Sequence, residues 1–217
     1  MKRALAALAA TACVAAAAQG TVDGTPSDAL WKQERALEDA GRFKGAIDVC
    51  LAIVRRDPAH QARALSTIAG LQGRQGRYRD EIDWARRALA ADPAYFEAEI
   101  NLGTAQAQLG RLDLAQAAYE RAQALAPRSP LPVYSLGALA EIRGDVAAAT
   151  GSYERAVALD PAFESGWFNL AAMQARAGRF DDALASLDKV LALDPRAEDA
   201  KAMRRHVQAD KAAAARR

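Results

Sequence analysis

Five glycines recur at Gly41, Gly76, Gly110, Gly144 and Gly178, separated by 35, 34, 34 and 34 residues, and Pro58, Pro93, Pro127, Pro161 and Pro195 keep the same intervals. A unit of that length holds one supersecondary element and cannot bury an apolar face alone, so successive copies must stack and share a core. Glycine after a helical stretch accepts the left-handed backbone that ends a helix, so each of the five marks a tight turn between two helices. Proline cannot continue the helix it follows, and it disfavours helical geometry in the residue before it. Asp57-Pro58, Asp92-Pro93, Asp160-Pro161 and Asp194-Pro195 therefore close their units. The expected fold is all-α, with two helices in each of five units.

Columns of side chains support this reading. Two residues after each turn glycine stands an apolar residue: Phe43, Tyr78, Leu112, Val146 and Phe180. Four units then carry Ala46, Ala115, Ala149 and Ala183, and the second carries Glu81 instead. In the last unit Phe180, Ala183, Leu184, Leu187, Val190 and Leu191 form the stripe of a half-buried helix. The first helices carry a small-residue column, Ala69, Gly103, Gly137 and Ala171, preceded by Ile68, Leu102, Leu136 and Leu170. Small residues there let the paired helix approach closely, and a bulky one would overpack the crossing by roughly 1 to 3 kcal/mol. No window alternates apolar and polar residues as a strand would.

These columns resemble those of the tetratricopeptide repeat family. The matching pieces are Trp167-x-x-Leu170-Ala171 with Gly178, Ala183 and Pro195, and in the third unit Leu102-Gly103, Gly110, Ala115, Tyr119, Ala122 and Pro127. The resemblance covers residues 27 to about 197. It implies a right-handed superhelical α-α solenoid of about five helix pairs at 27–61, 62–95, 96–129, 130–163 and 164–197. Residues 198–217 would then form a solvating, capping helix with Ala200, Met203 and Val207 on its buried side. The first unit departs from the pattern at Gln33 and Glu34, where an apolar and a small residue are expected; a terminal repeat has one face without a neighbour, so these are read as a polar cap. Thr25 as cap and Pro26 at the first helical position supply a helix start after a linker, 19–26.

The first 18 residues read differently. Met1-Lys2-Arg3 is a short basic region, Ala4 to Ala18 is small or apolar, and Ala16-Ala17-Ala18 before Gln19 fits a cleavage site, as in a secretory signal peptide. The expected address is periplasmic or secreted. Ala10-Thr11-Ala12-Cys13 offers an alternative, resembling a bacterial lipoprotein box in which Cys13 is lipidated and anchors the chain to the outer membrane; leucine, usual three residues before such a cysteine, is replaced by Ala10. Without that anchor no membrane partner is expected, because no later run reaches the roughly 18 apolar residues a span requires.

Composition narrows the partners. With 51% hydrophobic and 26% charged residues the chain is too apolar for intrinsic disorder. Its 29 basic and 27 acidic residues include Lys2 and Arg3 of the leader, so the remainder stands at 27 against 27. A neutral balance gives no field for a phosphate backbone, which argues against a helical-repeat RNA reader and against nucleic acid generally.

The resemblance implies that the first helices line a concave groove that binds a protein or peptide. Beside their buried stripe Ile100, Tyr134 and Phe168 recur one repeat apart, each followed by a polar residue, Asn101, Ser135 and Asn169. Thr104 and Arg176 fall on the same face. Apolar anchors beside groups able to bond a backbone suit a bound peptide. The same spacing also suits a ladder that packs adjacent repeats. Arg55-Arg56 and Arg86-Arg87, interleaved with Glu81 and Asp83, read as a solvated outer face.

Catalysis finds little support. His60 and His206 are isolated and lack metal-ligand spacing, Cys50 sits in an apolar stripe as a structural thiol, and Gly73-Arg74-Gln75-Gly76 lacks the lysine and hydroxyl of a phosphate loop. No cofactor or metal is expected. The reading is a non-enzymatic adaptor or scaffold of the bacterial cell envelope, or, if lipidated, an aid to assembly of a pilus or outer-membrane machine.

Overall fold

The computed structural model describes residues 27–216, so the leader, Cys13, Thr25 and Pro26 lie outside the described residues. Among the described residues there are eleven α-helices, one short 3-10 turn and no strand. The chain divides into two units between Leu109 and Gly110. The first holds α1 (Ser27–Asp39), α2 (Phe43–Arg56), the turn Pro58–His60, α3 (Gln61–Gly73), α4 (Tyr78–Ala91) and α5 (Phe96–Gln108). The second holds α6 (Leu112–Leu125), α7 (Pro130–Ile142), α8 (Val146–Leu159), α9 (Glu164–Arg176), α10 (Phe180–Leu193) and α11 (Glu198–Ala214).

Each predicted turn forms as its chemistry requires. The five glycines have φ between +69° and +78°, where a Cβ is strained, and they are the only residues with positive φ among those described. Within the turns the glycine N–H and the next residue's N–H donate back to the helix end: Gly41 to Glu38 O and Arg42 to Leu37 O, both at 2.8 Å, with the same pair at Gly76, Gly144 and Gly178. These bonds satisfy carbonyls that the helix leaves open. The Asp-Pro stops work through the aspartate as well. Asp92, Asp160 and Asp194 Oδ1 each accept from the N–H two residues on, at 2.8 to 2.9 Å, and so start the next helix.

In the first unit neighbouring helices pack in chain order, and α3 also touches α5. Leu30, Leu37, Val49, Cys50, Ile53, Ile68 and Leu71 form its main core, with Trp31, Phe43 and Trp84 packed against them. A second cluster joins Leu65, Ala88 and Ala98 with Tyr95. In the second unit Tyr153, Val157, Leu170 and Met173 form one cluster and Leu187, Val190, Ala200 and Val207 another, so α11 closes the stack with an apolar edge. The small column works as predicted where Gly137 meets α8: a Cβ there would stand 2.7 Å from Tyr153 Cε1, and Tyr153 is fully buried.

Two acidic residues depart from expectation. Glu34 is not part of a solvated cap; it is 4% exposed, because Cys50 rather than a large side chain sits in the facing helix. Glu81 is not on the outer face but 2% exposed, its carboxyl lying over the backbone of Gly73, where a Cβ would come within 2.4 Å of Oε2. In both places a small partner makes room for a carboxylate. The outer face otherwise holds: Arg55, Arg86 and Asp83 are exposed, and Arg87 lies 3.9 Å over the Trp84 ring.

Candidate functional site

The first helices of each unit border a cleft. In the first unit it encloses about 580 Å³, with Ser66, Thr67, Gly70, Asn101, Thr104 and Gln108 along the wall made by α3 and α5. Asn101 and Thr104, predicted for the groove, are therefore brought together. Asn101 Nδ2 donates to Ser66 O and Ser66 Oγ at 2.9 Å, tying α5 to α3. Ile100 is half-buried beside them on α5.

The second unit's cleft encloses about 320 Å³ and brings together Tyr134, Phe168 and Asn169 with Glu164, Asp194 and Asp199 at its rim. Asn169 Nδ2 donates to the Tyr134 hydroxyl at 2.8 Å, and the Tyr134 ring stands 5.0 Å from Phe163 and 5.4 Å from Tyr153. Tyr134 thus serves the packing ladder and lines the cleft at once. Its burial raises the phenol above its usual range. Ser135 Oγ donates to Leu131 O within α7, a local bond that turns the hydroxyl toward its own helix. Arg176 is exposed, with Nη1 3.4 Å from Glu141 Oε1, and does not line either cleft.

Sequence reasoning missed Glu81, Ser66 and Gly70 as cleft residues. The first had a signal, the break in the alanine column, which pointed to a special position rather than to the surface. Burial raises the Glu81 carboxyl to about 7, and Oε2 has no hydrogen-bond partner. Arg63 and Arg74 line the same cleft without bonding to Glu81: Arg74 pairs with Glu38, and the Arg63 guanidinium lies 4.2 Å over the Trp31 ring.

Other reactive groups are arranged for structure. Cys50 is free and fully buried, and desolvation, then Glu34 and Glu38, push its thiol up, away from nucleophilic form. Ser27, Asp57 and His60 do meet, but Asp57 stands in the middle. Ser27 Oγ donates to Asp57 Oδ2 at 2.6 Å and His60 Nδ1 lies 2.7 Å from the same oxygen, so the hydroxyl faces no base. Among the described residues no group of His, Cys, Asp and Glu is placed to hold a metal ion.

The tetratricopeptide repeat profile matches residues 35–96, 67–130 and 100–162, and a second profile of the same repeat matches 142–207. The chain belongs to the tetratricopeptide repeat family. Its fold is similar to that of a thermophilic tetratricopeptide protein, TTC0263 of Thermus thermophilus, with 21% identity, a TM-score of 0.73, and coverage of 84% of this chain and 99% of that one. MamA from Desulfovibrio magneticus RS-1 is similar at 19% identity and TM-score 0.56, over 80% of this chain and 98% of that one. YrrB, described as a tetratricopeptide protein with an unusual peptide-binding site, is similar at 19% identity and TM-score 0.54, over 79% of this chain and 88% of that one. No curated protein matches the sequence significantly. At these identities the likeness establishes the tetratricopeptide fold alone.

Proposed function

We propose that this tetratricopeptide protein is a scaffold that holds a segment of a partner protein in the clefts beside its first helices, and that it does so in the bacterial cell envelope. The observation that carries the binding reading is the composition of the two clefts. Each combines ring surface (Tyr95 in one, Tyr134 and Phe168 in the other) with amide and hydroxyl groups held in place by bonds to a neighbouring helix. Rigid amphipathic walls bury a partner's side chain and bond its backbone at low cost in conformational entropy. The description of YrrB as peptide-binding is consistent with the same use of the fold.

The envelope address is supported by the basic, apolar and small-residue pattern of residues 1–18. Cys13 in its Ala-Thr-Ala-Cys setting supports the second reading, a lipid anchor serving a membrane-bound assembly. The mass of the mature N-terminus from fractionated host cells separates them: Gln19 as first residue fits export, a lipidated Cys13 fits the anchor, and an intact Met1 overturns both.

Photo-crosslinking in living cells tests the binding site. A photoreactive residue at Thr104 or Phe168 is expected to capture a partner, and one at Asp83 or Arg155, both exposed on second helices, is expected not to. Adducts from the second-helix positions alone overturn the reading.

A further inference from the structure

The two clefts differ in the charge of their walls. The first is bordered by Arg63 and Arg74 as well as by Glu38, Glu81 and Glu97, so both signs are present. The second is bordered by Glu164, Asp194, Glu198 and Asp199 and by no lysine, arginine or histidine. Glu198 is paired with Lys201 at 2.8 Å, and Asp194 Oδ1 accepts from the Arg196 N–H at 2.8 Å. Glu164 and Asp199 are exposed, and among the described residues neither has a cationic partner. The second cleft therefore has a negative rim that a ligand can reach from solvent.

Helix starts favour acids, and Glu164 opens α9 while Glu198 and Asp199 open α11. The repeat does not require them, because α7 opens on Pro130-Leu131 with no acid in its first turn. Nor do the four carboxylates gather about one point: among the described residues no group of His, Cys, Asp and Glu is placed to hold a metal ion. Charges spread along a rim suit a ligand whose own charge sits on an extended body.

Apolar surface fills the space inside the rim. Tyr134 and Phe168 are half-buried, so part of each ring is open to the cleft, and Ala197 continues the wall between them and α11. The Tyr134 ring is held by Phe163 and Tyr153 and its hydroxyl by Asn169, so this floor is preorganised. Lysine and arginine match such a surface, because their alkyl stems lie along apolar groups while the charged heads stay in water. A cation near an aromatic face gains a further attraction. An acidic side chain would be repelled by the rim, and an apolar one would gain nothing from it.

Resting on the reading of these clefts as peptide-binding, we propose that the second unit's cleft takes a basic segment of the partner protein, with a lysine or arginine stem laid over Tyr134 and Phe168 and its charged head at Glu164 and Asp199.

The test uses the full chain on an array of random short peptides. The natural chain is expected to enrich lysine or arginine over norleucine by about fivefold, the sum of two exposed charge pairs. Raising the salt from about 0.05 M to about 0.5 M is expected to shrink that preference, since exposed charges are screened. The double variant Glu164→Gln, Asp199→Asn is expected to capture peptides still but to lose the preference. A control with the same change in charge on exposed second-helix positions, Asp48→Asn with Asp83→Asn, is expected to keep it. Circular dichroism verifies that both variants fold. Capture without basic enrichment, enrichment that survives in the Glu164 and Asp199 variant or is indifferent to salt, or an equal loss in the control overturns the assignment and leaves the peptide-binding reading standing. Capture of no peptide at all overturns both.

Discussion

Replacing Glu81 by glutamine keeps the size of the side chain and removes only its ability to ionise. Burial raises the folded carboxyl to about 7 from an ordinary value of 4.5. A carboxyl raised on folding binds its proton more tightly in the native state, so its stabilising contribution is complete below the unfolded value and is lost as pH rises through the folded value. Above that it is flat. At about 1.4 kcal/mol per pH unit, and with a little under 1 kcal/mol already lost by pH 5, the interval from pH 5 to pH 8 holds about 2.5 kcal/mol for this one group. The assay is urea unfolding at both pH values, followed by circular dichroism and tryptophan fluorescence, since Trp31 and Trp84 pack in the same unit's core. Glu34, also raised by burial, titrates in natural chain and variant alike, so the difference between them isolates Glu81. The variant is expected to gain about 2.5 kcal/mol over the natural chain on going from pH 5 to pH 8. Parallel pH profiles for the two chains would refute the argument that an unpartnered carboxylate is buried there.

Two further outcomes follow from the packing. Gly137→Ala should destabilise the second unit by up to about 2 kcal/mol, because displacing the Tyr153 ring outweighs the better helix propensity, whereas Gly151→Ala, where a Cβ meets nothing within 4 Å, should stabilise it by about 1 kcal/mol; thermal unfolding of the pair checks the contrast. Cys50 should resist thiol reagents in the native protein and react fully in urea, and rapid native labelling, read by mass spectrometry, would contradict its burial.

The fold was legible because its causes are local and recur. A glycine that must adopt positive φ and a proline that cannot extend a helix act within a few residues, and five copies leave little room for another period. The buried acids were not legible by the same means. The polarity of Glu34 and Glu81 pointed outward, while their burial depends on what faces them across a helix pair, Cys50 in one case and Gly73 in the other. Pairing a large exception in one column with a small residue in the facing helix is the signal that would have revealed Glu81. The candidate groove was legible in part. Spacing identified Tyr134, Phe168, Asn101 and Asn169 as a common face, but the bonds from the two asparagines to Ser66 and Tyr134 depend on the distance between neighbouring helices, which no single column encodes. Arg176 likewise reaches one repeat back, its Nη1 3.4 Å from Glu141 Oε1 on the neighbouring first helix.

Backbone amide shifts of the isotope-labelled chain, recorded with and without a peptide selected from the random array, test the binding surface most directly. The account predicts that shifts concentrate on first-helix residues such as Thr67, Asn101, Phe168 and Asn169, with Asp83 and Lys189 on second helices unmoved. Shifts confined to the second helices, with the first-helix residues silent, would contradict it.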